Sequence, residues 1–157
     1  MLSSTGWPEG TIGTMVDVDV VLKKLGELAD FVSRVRSHRP SDAETLANDR
    51  NVRDLVSYNL ALAVQACLDI ASHLIADEAW EPSTTAAESF QTLAQHGVIS
   101  QELAAMLGQA AGLRNILIHG YGKAVPARIH AAATSGLGDL ERFAQEISAW
   151  MKRSRGL

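Results

Sequence analysis

Apolar residues return every three or four positions along most of this chain. Val18, Val21, Leu22, Leu25, Leu28, Ala29, Val32 and Val35 form the first such stripe, the spacing that places side chains on one face of an α-helix. The opening Val16-Asp17-Val18-Asp19-Val20 alternates like a strand, but the longer period decides for helix. Pro40 ends it. Ser41-Asp42-Ala43-Glu44 then has capping-box spacing, in which a hydroxyl and a carboxylate satisfy free amides at the start of a new helix. That second helical region is expected to carry an irregularity at Asn48-Asp49 and then run long, through Val52, Leu55, Val56, Leu60, Ala63, Val64, Cys67, Leu68, Ala71, Leu74 and Ile75. It is apolar enough to lie at the centre of a bundle.

Glu81-Pro82-Ser83 breaks the pattern, a shorter helix over 84–95 follows, and His96-Gly97 stops it. From Ser100 another helix carries Leu103, Ala104, Met106, Leu107, Ala110, Ala111 and Leu113 onward to Tyr121, with Gly122 as its end. Pro126 suits the first position of a final helix reaching Arg153, with Ile129, Ala133, Leu137, Leu140, Phe143, Ile147 and Trp150 on one side and Gly136 and Gly138 weakening it. Residues 1–13 contain Gly6, Pro8, Gly10 and Gly13 without periodicity and read as a flexible arm, leaving 14–157 as the domain. The expected fold is all-α: an antiparallel bundle of four long helices plus a short one.

A length of 157 residues suits one domain, and 46% hydrophobic with 20% charged residues is a globular balance. The N-terminus lacks the basic region and apolar stretch of a leader, and no apolar run reaches the roughly 18 residues of a membrane span. A soluble, cytoplasmic protein without a membrane partner is expected. The lone Cys67 excludes an internal disulfide and falls within the apolar stripe, so it reads as core. Fourteen Lys and Arg against eighteen Asp and Glu give a net charge of −4. That balance is not that of a protein that coats nucleic acid, yet it leaves room for a local RNA site. Lys152, Arg153 and Arg155 in the last turn are what a helix dipole favours.

The segment from Gly112 to Tyr121 carries the candidate chemistry. At about 100° per residue, Leu113, Ile116, Leu117 and Gly120 share one arc, the core seam, while Arg114, Asn115, Ile118, His119 and Tyr121 share the opposite one. Polar groups around an exposed Ile118 suggest a face that meets another surface. Asn115 and His119 are four apart, so the amide can orient the imidazole or share a ligand with it. His119 can take a proton from a ribose 2′-hydroxyl or give one to a leaving oxygen, and Arg114 can offer its planar fork to a phosphate. One imidazole cannot easily do both jobs at once, but two copies of the face across a two-fold axis would supply base and acid together. An ordinary interface that happens to contain a His and an Arg explains the same spacing.

Arg114-x4-His119-x-Tyr121 resembles the Arg-x4-His-x-Tyr motif of HepT-type toxins, members of the HEPN superfamily of helical ribonucleases. The blocks 69–75, 89–99 and 111–121 resemble that family too, and the likeness extends from about residue 15 to the C-terminus. The resemblance implies a HEPN-like homodimer acting as a metal-independent endoribonuclease without a cofactor. Arg114, Asn115 and His119 would line an interfacial cleft that takes RNA. It further implies the toxin of a type VII toxin-antitoxin pair, whose partner is an MntA-like nucleotidyltransferase antitoxin that adds AMP to the motif tyrosine, here Tyr121. After the tyrosine the family continues to a Val-Asp pair, whereas this chain reads Gly122-Lys123-Ala124-Val125-Pro126.

Other polar residues have plainer readings. His73 is expected as a hydrogen-bonded residue near the seam, His96 as a polar helix end, and Asp69 as the partner of a cation inside the bundle. Arg50, Arg53 and Tyr58 fit solvated or interface roles, Trp150 fits packing, and Trp7 and Trp80 sit at loop-like positions. The alternative to the nuclease is a non-catalytic HEPN helical module that binds nucleotide or a nucleotidyltransferase.

Overall fold

The computed structural model describes residues 9–119 and 125–156, with side chains from residue 18 onward. Seven helices are present among them: α1 (Glu9–His38), α2 (Ala43–Asn48), α3 (Arg50–Asp77), α4 (Ala86–Gln95), α5 (Gln101–His119), α6 (Pro126–Ala133) and α7 (Ser135–Arg155). Four are long, as the periodicity requires, and α2, α4 and α6 are short.

The helix α3 lies at the centre because its apolar residues cover more than one side. Val56, Leu60, Ala63, Val64, Cys67, Leu68, Ile70, Ala71, Leu74 and Ile75 are all buried, and α3 touches every other helix. Among the described residues it alone is long and apolar enough to cross a membrane, but 67% of its most apolar window is buried within the bundle. Burial also pushes the Cys67 thiol far above its ordinary pKa, as expected for core packing. Phe90 of α4 meets Phe143 of α7 edge to face, ring centroids 6.0 Å apart.

Helix directions follow from the ion pairs that tie them. Arg36 near the end of α1 meets Glu141 near the start of α7 at 2.8 Å, so these two run antiparallel. Arg155 at the end of α7 reaches Asp77 at 2.6 Å and Glu78 at 3.0 Å, both at the end of α3. Its side chain is only 7% exposed and its guanidinium lies 5.5 Å from the centroid of the Trp150 ring. Arg155, a last-turn cation of the kind the helix dipole favours, also stitches two helix ends together. Beside it Trp80 packs edge-on to Trp150 at 6.2 Å and stacks on His96 at 4.0 Å, which gives Trp80 a packing role.

Several boundaries differ from the sequence reading. Residues 9–13, expected in the arm, are helical; once a long helix is nucleated, extending it through Gly10 and Gly13 costs only about 1 kcal/mol each. Trp7 lies outside the described residues. The cap of α2 is Asp42 rather than Ser41: its carboxylate accepts from the Thr45 backbone amide and hydroxyl, each at 2.8 Å. The capping box instead belongs to α4. There Thr85 Oγ1 accepts from the Glu88 amide at 3.1 Å and Glu88 Oε2 accepts from the Thr85 amide at 3.2 Å. The expected irregularity at Asn48-Asp49 is the break between α2 and α3, and Gly97 ends α4 with a positive φ of 75°. The single final helix expected from Pro126 is two. Thr134 breaks it at φ −110°, ψ −90°. Its hydroxyl donates to the His130 carbonyl at 2.7 Å and the Ser135 hydroxyl to Ala131 at 3.2 Å. These side chains compete with the backbone ladder just where Gly136 and Gly138 weaken helix propensity.

The two caps make stability acid-sensitive. The Thr45 backbone amide holds the Asp42 carboxyl below its ordinary value, and the Thr84 hydroxyl does the same for Glu88. A pKa depressed in the folded state means the stabilisation is present above the unfolded value and fades as pH falls through the folded one. The melting temperature should therefore fall as pH drops below 4.5, the ordinary Glu value. A Glu88→Gln variant should be less stable at neutral pH and lose less on acidification, as read by circular dichroism melts across pH 3 to 7.

Candidate active site

The helix α5 is fixed at its start and along its core face. Ser100 accepts the Leu103 amide at 3.1 Å and donates its own amide to Glu146 of α7 at 2.8 Å. Leu103, Ala104, Leu107, Ala111 and Leu113 are buried. With that stripe turned inward, the helical repeat must carry the next residues outward. Arg114 is half-buried, Asn115 and His119 are exposed, and Ile118 is 58% exposed. The two arcs read from the sequence are thus realised for the described residues. Tyr121 lies outside them.

Arg114 is held by two amides. Its Nε and Nη2 donate to Asn115 Oδ1 at 3.2 and 2.6 Å, and its Nη1 donates to Gln65 Oε1 of α3 at 2.5 Å. Asn115 thus turns its carbonyl oxygen to the neighbouring guanidinium, a contact that the expected Asn115–His119 pairing did not include. Gln65 passes the contact on: its Nε2 donates to Asp69 Oδ1 at 2.9 Å, and Lys24 of α1 donates to Asp69 Oδ2 at 3.3 Å. Lys24 is also 3.5 Å from Glu27. The hydrogen bond with Asp69, reinforced by the nearby carboxylates, holds the Lys24 pKa above its ordinary 10.5, so the ammonium is charged at neutral pH.

Asp69 therefore has the cation partner expected of it. Gln65 was not singled out by sequence reasoning; the available signal was its position four residues before Asp69, within the apolar stretch from Leu60 to Leu68. A groove of about 400 Å³ opens beside Arg114 between α3, α5, α6 and α7. Leu60, Leu113 and Leu117 line it, with Arg114, Arg128 and Asp139 as its charged residues.

The remaining candidates lie elsewhere or do structural work. Arg53 donates to the Leu46 and Ala47 carbonyls, both at 3.1 Å, and so closes the end of α2. Arg50 pairs with Asp54 at 3.5 Å within α3. Tyr58 is exposed on α3, His73 is half-buried there, and His96 caps α4. Among the described residues no three His, Cys, Asp or Glu side chains gather into a possible metal site.

Comparison with known proteins identifies the family and the fold. The family model described as Ribonuclease HepT-like matches residues 22–147. The chain belongs to this HepT-like family. A HepT-like relative, the mRNA nuclease HepT of Shewanella oneidensis, is 28% identical over 131 residues, covering 83% of this chain and 98% of that protein. The tRNA nuclease HepT of Aphanizomenon flos-aquae is also 28% identical, over 59% of this chain and 63% of its own length. Among solved structures, the tri-AMPylated Shewanella oneidensis HEPN toxin in complex with MNT antitoxin superposes with a TM-score of 0.78 at 28% identity, covering 83% of this chain and 98% of that one. The cytosolic protein YutE of Bacillus subtilis, of unknown function, shares the fold at 14% identity and a TM-score of 0.75 over 87% of this chain and 92% of its own.

Proposed function

We propose that this chain is the toxin of a type VII toxin-antitoxin pair and acts as a metal-independent endoribonuclease at a homodimer interface. The observation that carries the reading is the outward face of α5, where Arg114, Asn115 and His119 surround the exposed Ile118. Such a face calls for a partner surface, and a second copy would set two of these constellations opposite each other. The nuclease names of the two curated relatives support RNA as the substrate class.

In the proposed reaction, His119 of one subunit takes the proton of a ribose 2′-hydroxyl. The 2′-oxygen attacks the adjacent phosphorus, and the bond to the 5′-oxygen breaks. His119 of the second subunit protonates that leaving oxygen, so the products are a 2′,3′-cyclic phosphate and a 5′-hydroxyl. Arg114 presents donors to the phosphate as negative charge grows on its oxygens. Asn115, by accepting from Nε and Nη2, keeps the guanidinium plane fixed. No metal and no cofactor is needed for these steps.

The antitoxin partner would be an MntA-like nucleotidyltransferase that transfers AMP to Tyr121. The Shewanella toxin, described as AMPylated and bound to an MNT antitoxin, supports this half of the reading. A phosphodiester added two residues after His119 would place negative charge where the RNA backbone must lie, repelling it and competing for Arg114. A non-catalytic module is the second reading, favoured by the net charge of −4.

Purified protein should cleave RNA in excess EDTA and leave cyclic phosphate ends. His119→Ala and Arg114→Ala should each lower the rate by about 100-fold or more, the scale of a lost proton-transfer group or charge-stabilising donor. Cleavage that survives both substitutions contradicts the assigned residues, and tight nucleotide or partner binding without RNA turnover favours the non-catalytic module. Protein co-expressed with an MntA-like nucleotidyltransferase should gain one or more AMP masses that Tyr121→Phe abolishes. An unmodified tyrosine in active, co-purified complex removes the AMP switch.

A further inference from the structure

We infer that Gln65 is a positioning residue for Arg114, held in turn by Asp69 and Lys24, so that α1 and α3 set the direction of the guanidinium displayed by α5. The inference rests on the proposed nuclease reading for its consequence, while the tie itself is a feature of the fold.

The chemistry of the neighbours dictates the residue type at position 65. A guanidinium only donates and a carboxylate only accepts. The group between Arg114 and Asp69 must therefore present an acceptor on one side and a donor on the other. The Gln65 amide does so, with Oε1 toward Arg114 Nη1 and Nε2 toward Asp69 Oδ1, and this fixes which way the amide points. Glu at 65 would face the Asp69 carboxylate without a proton to share, and Leu would satisfy neither neighbour. The second carboxylate oxygen of Asp69 is engaged by Lys24, which anchors the chain to a third helix.

Asn115 alone could not do this. It is the next residue on the same helix, so its bond fixes Arg114 only relative to α5; the bond to Gln65 comes from 49 residues away. Of the five N–H groups of a guanidinium, Nε, one on Nη2 and one on Nη1 are engaged. One N–H on each terminal nitrogen is left to meet phosphate oxygens. Without the Gln65 contact the guanidinium is held only through the exposed Asn115 side chain and can swing with it, and a misaligned donor stabilises the transition state less while still attracting RNA.

The test uses full-length protein with Gln65→Leu, Lys24→Met and the double variant. Thermal melts confirm folding, and the Arg114 Nη1–H resonance, the proton donated to Gln65, serves as a readout independent of RNA. In the wild type that resonance should be slow to exchange with water, and Gln65→Leu should speed its exchange. In RNA cleavage Gln65→Leu should lower kcat about tenfold with KM changed by less than about threefold, the pattern of lost orientation rather than lost binding. Lys24→Met should act in the same direction but more weakly, and the double variant should match Gln65→Leu, because both substitutions break one chain. An Arg114 resonance indifferent to residue 65, an unchanged kcat, or additive losses in the double variant would overturn the inference. If the resonance responds as expected but wild-type protein does not cleave RNA, the tie stands and the nuclease reading fails.

Discussion

Burial of α3 on nearly every side is the constraint from which the rest follows. Each fully buried Leu or Ile contributes about 1.5–3 kcal/mol, and α3 supplies Leu60, Ile70 and Leu74 to a core shared with all the other helices. Polar side chains in the packed part of such a helix need partners, and along one edge its neighbours supply them. Gln65 and Asp69, one helical turn apart, occupy that edge. Lys24 arrives there from α1 and Arg114 from α5, so the requirement that the central helix satisfy its few polar groups also orients the outward-facing guanidinium.

The same constraint divides the molecule into regions with different chemistry. At the end where α3 and α7 finish, the cation is consumed structurally: Arg155 is buried against Asp77, Glu78 and Trp150, with Trp80 and His96 stacked alongside. At the end of α5, Arg114 keeps donors available and shares an exposed surface with Asn115, Ile118 and His119. An acidic chain can therefore present a local cationic site, because net charge sets long-range fields while a phosphate is recognised by donors a few ångströms away.

Helical periodicity made most of the architecture legible. The stripes of α1, α3, α5 and α7 follow from apolar spacing, and the inward arc of Leu113 and outward arc of Arg114, Asn115, Ile118 and His119 follow from the same rule. Local choices between competing caps were less legible. Ser41 and Asp42 are adjacent and both can cap, and only backbone geometry selects Asp42; Thr134 looks like any other residue of a long helix until its hydroxyl is seen bonding backward. Contacts between distant segments leave no period in the sequence at all. Gln65 reads as one polar residue in an apolar run, and Arg155 as a cation that suits the helix dipole, until the helices that face them are in place.

The central claim is that one catalytic cleft requires the outward faces of two subunits, each contributing its own His119. Unfolding and refolding wild-type protein together with His119→Ala protein in varied ratios would populate mixed dimers, and RNA cleavage could be followed at constant total protein. If both imidazoles are needed in a single cleft, activity falls as the square of the wild-type fraction, because only the wild-type pair is active. Activity that declines in direct proportion to the wild-type fraction would mean that each subunit acts alone, and would contradict the account.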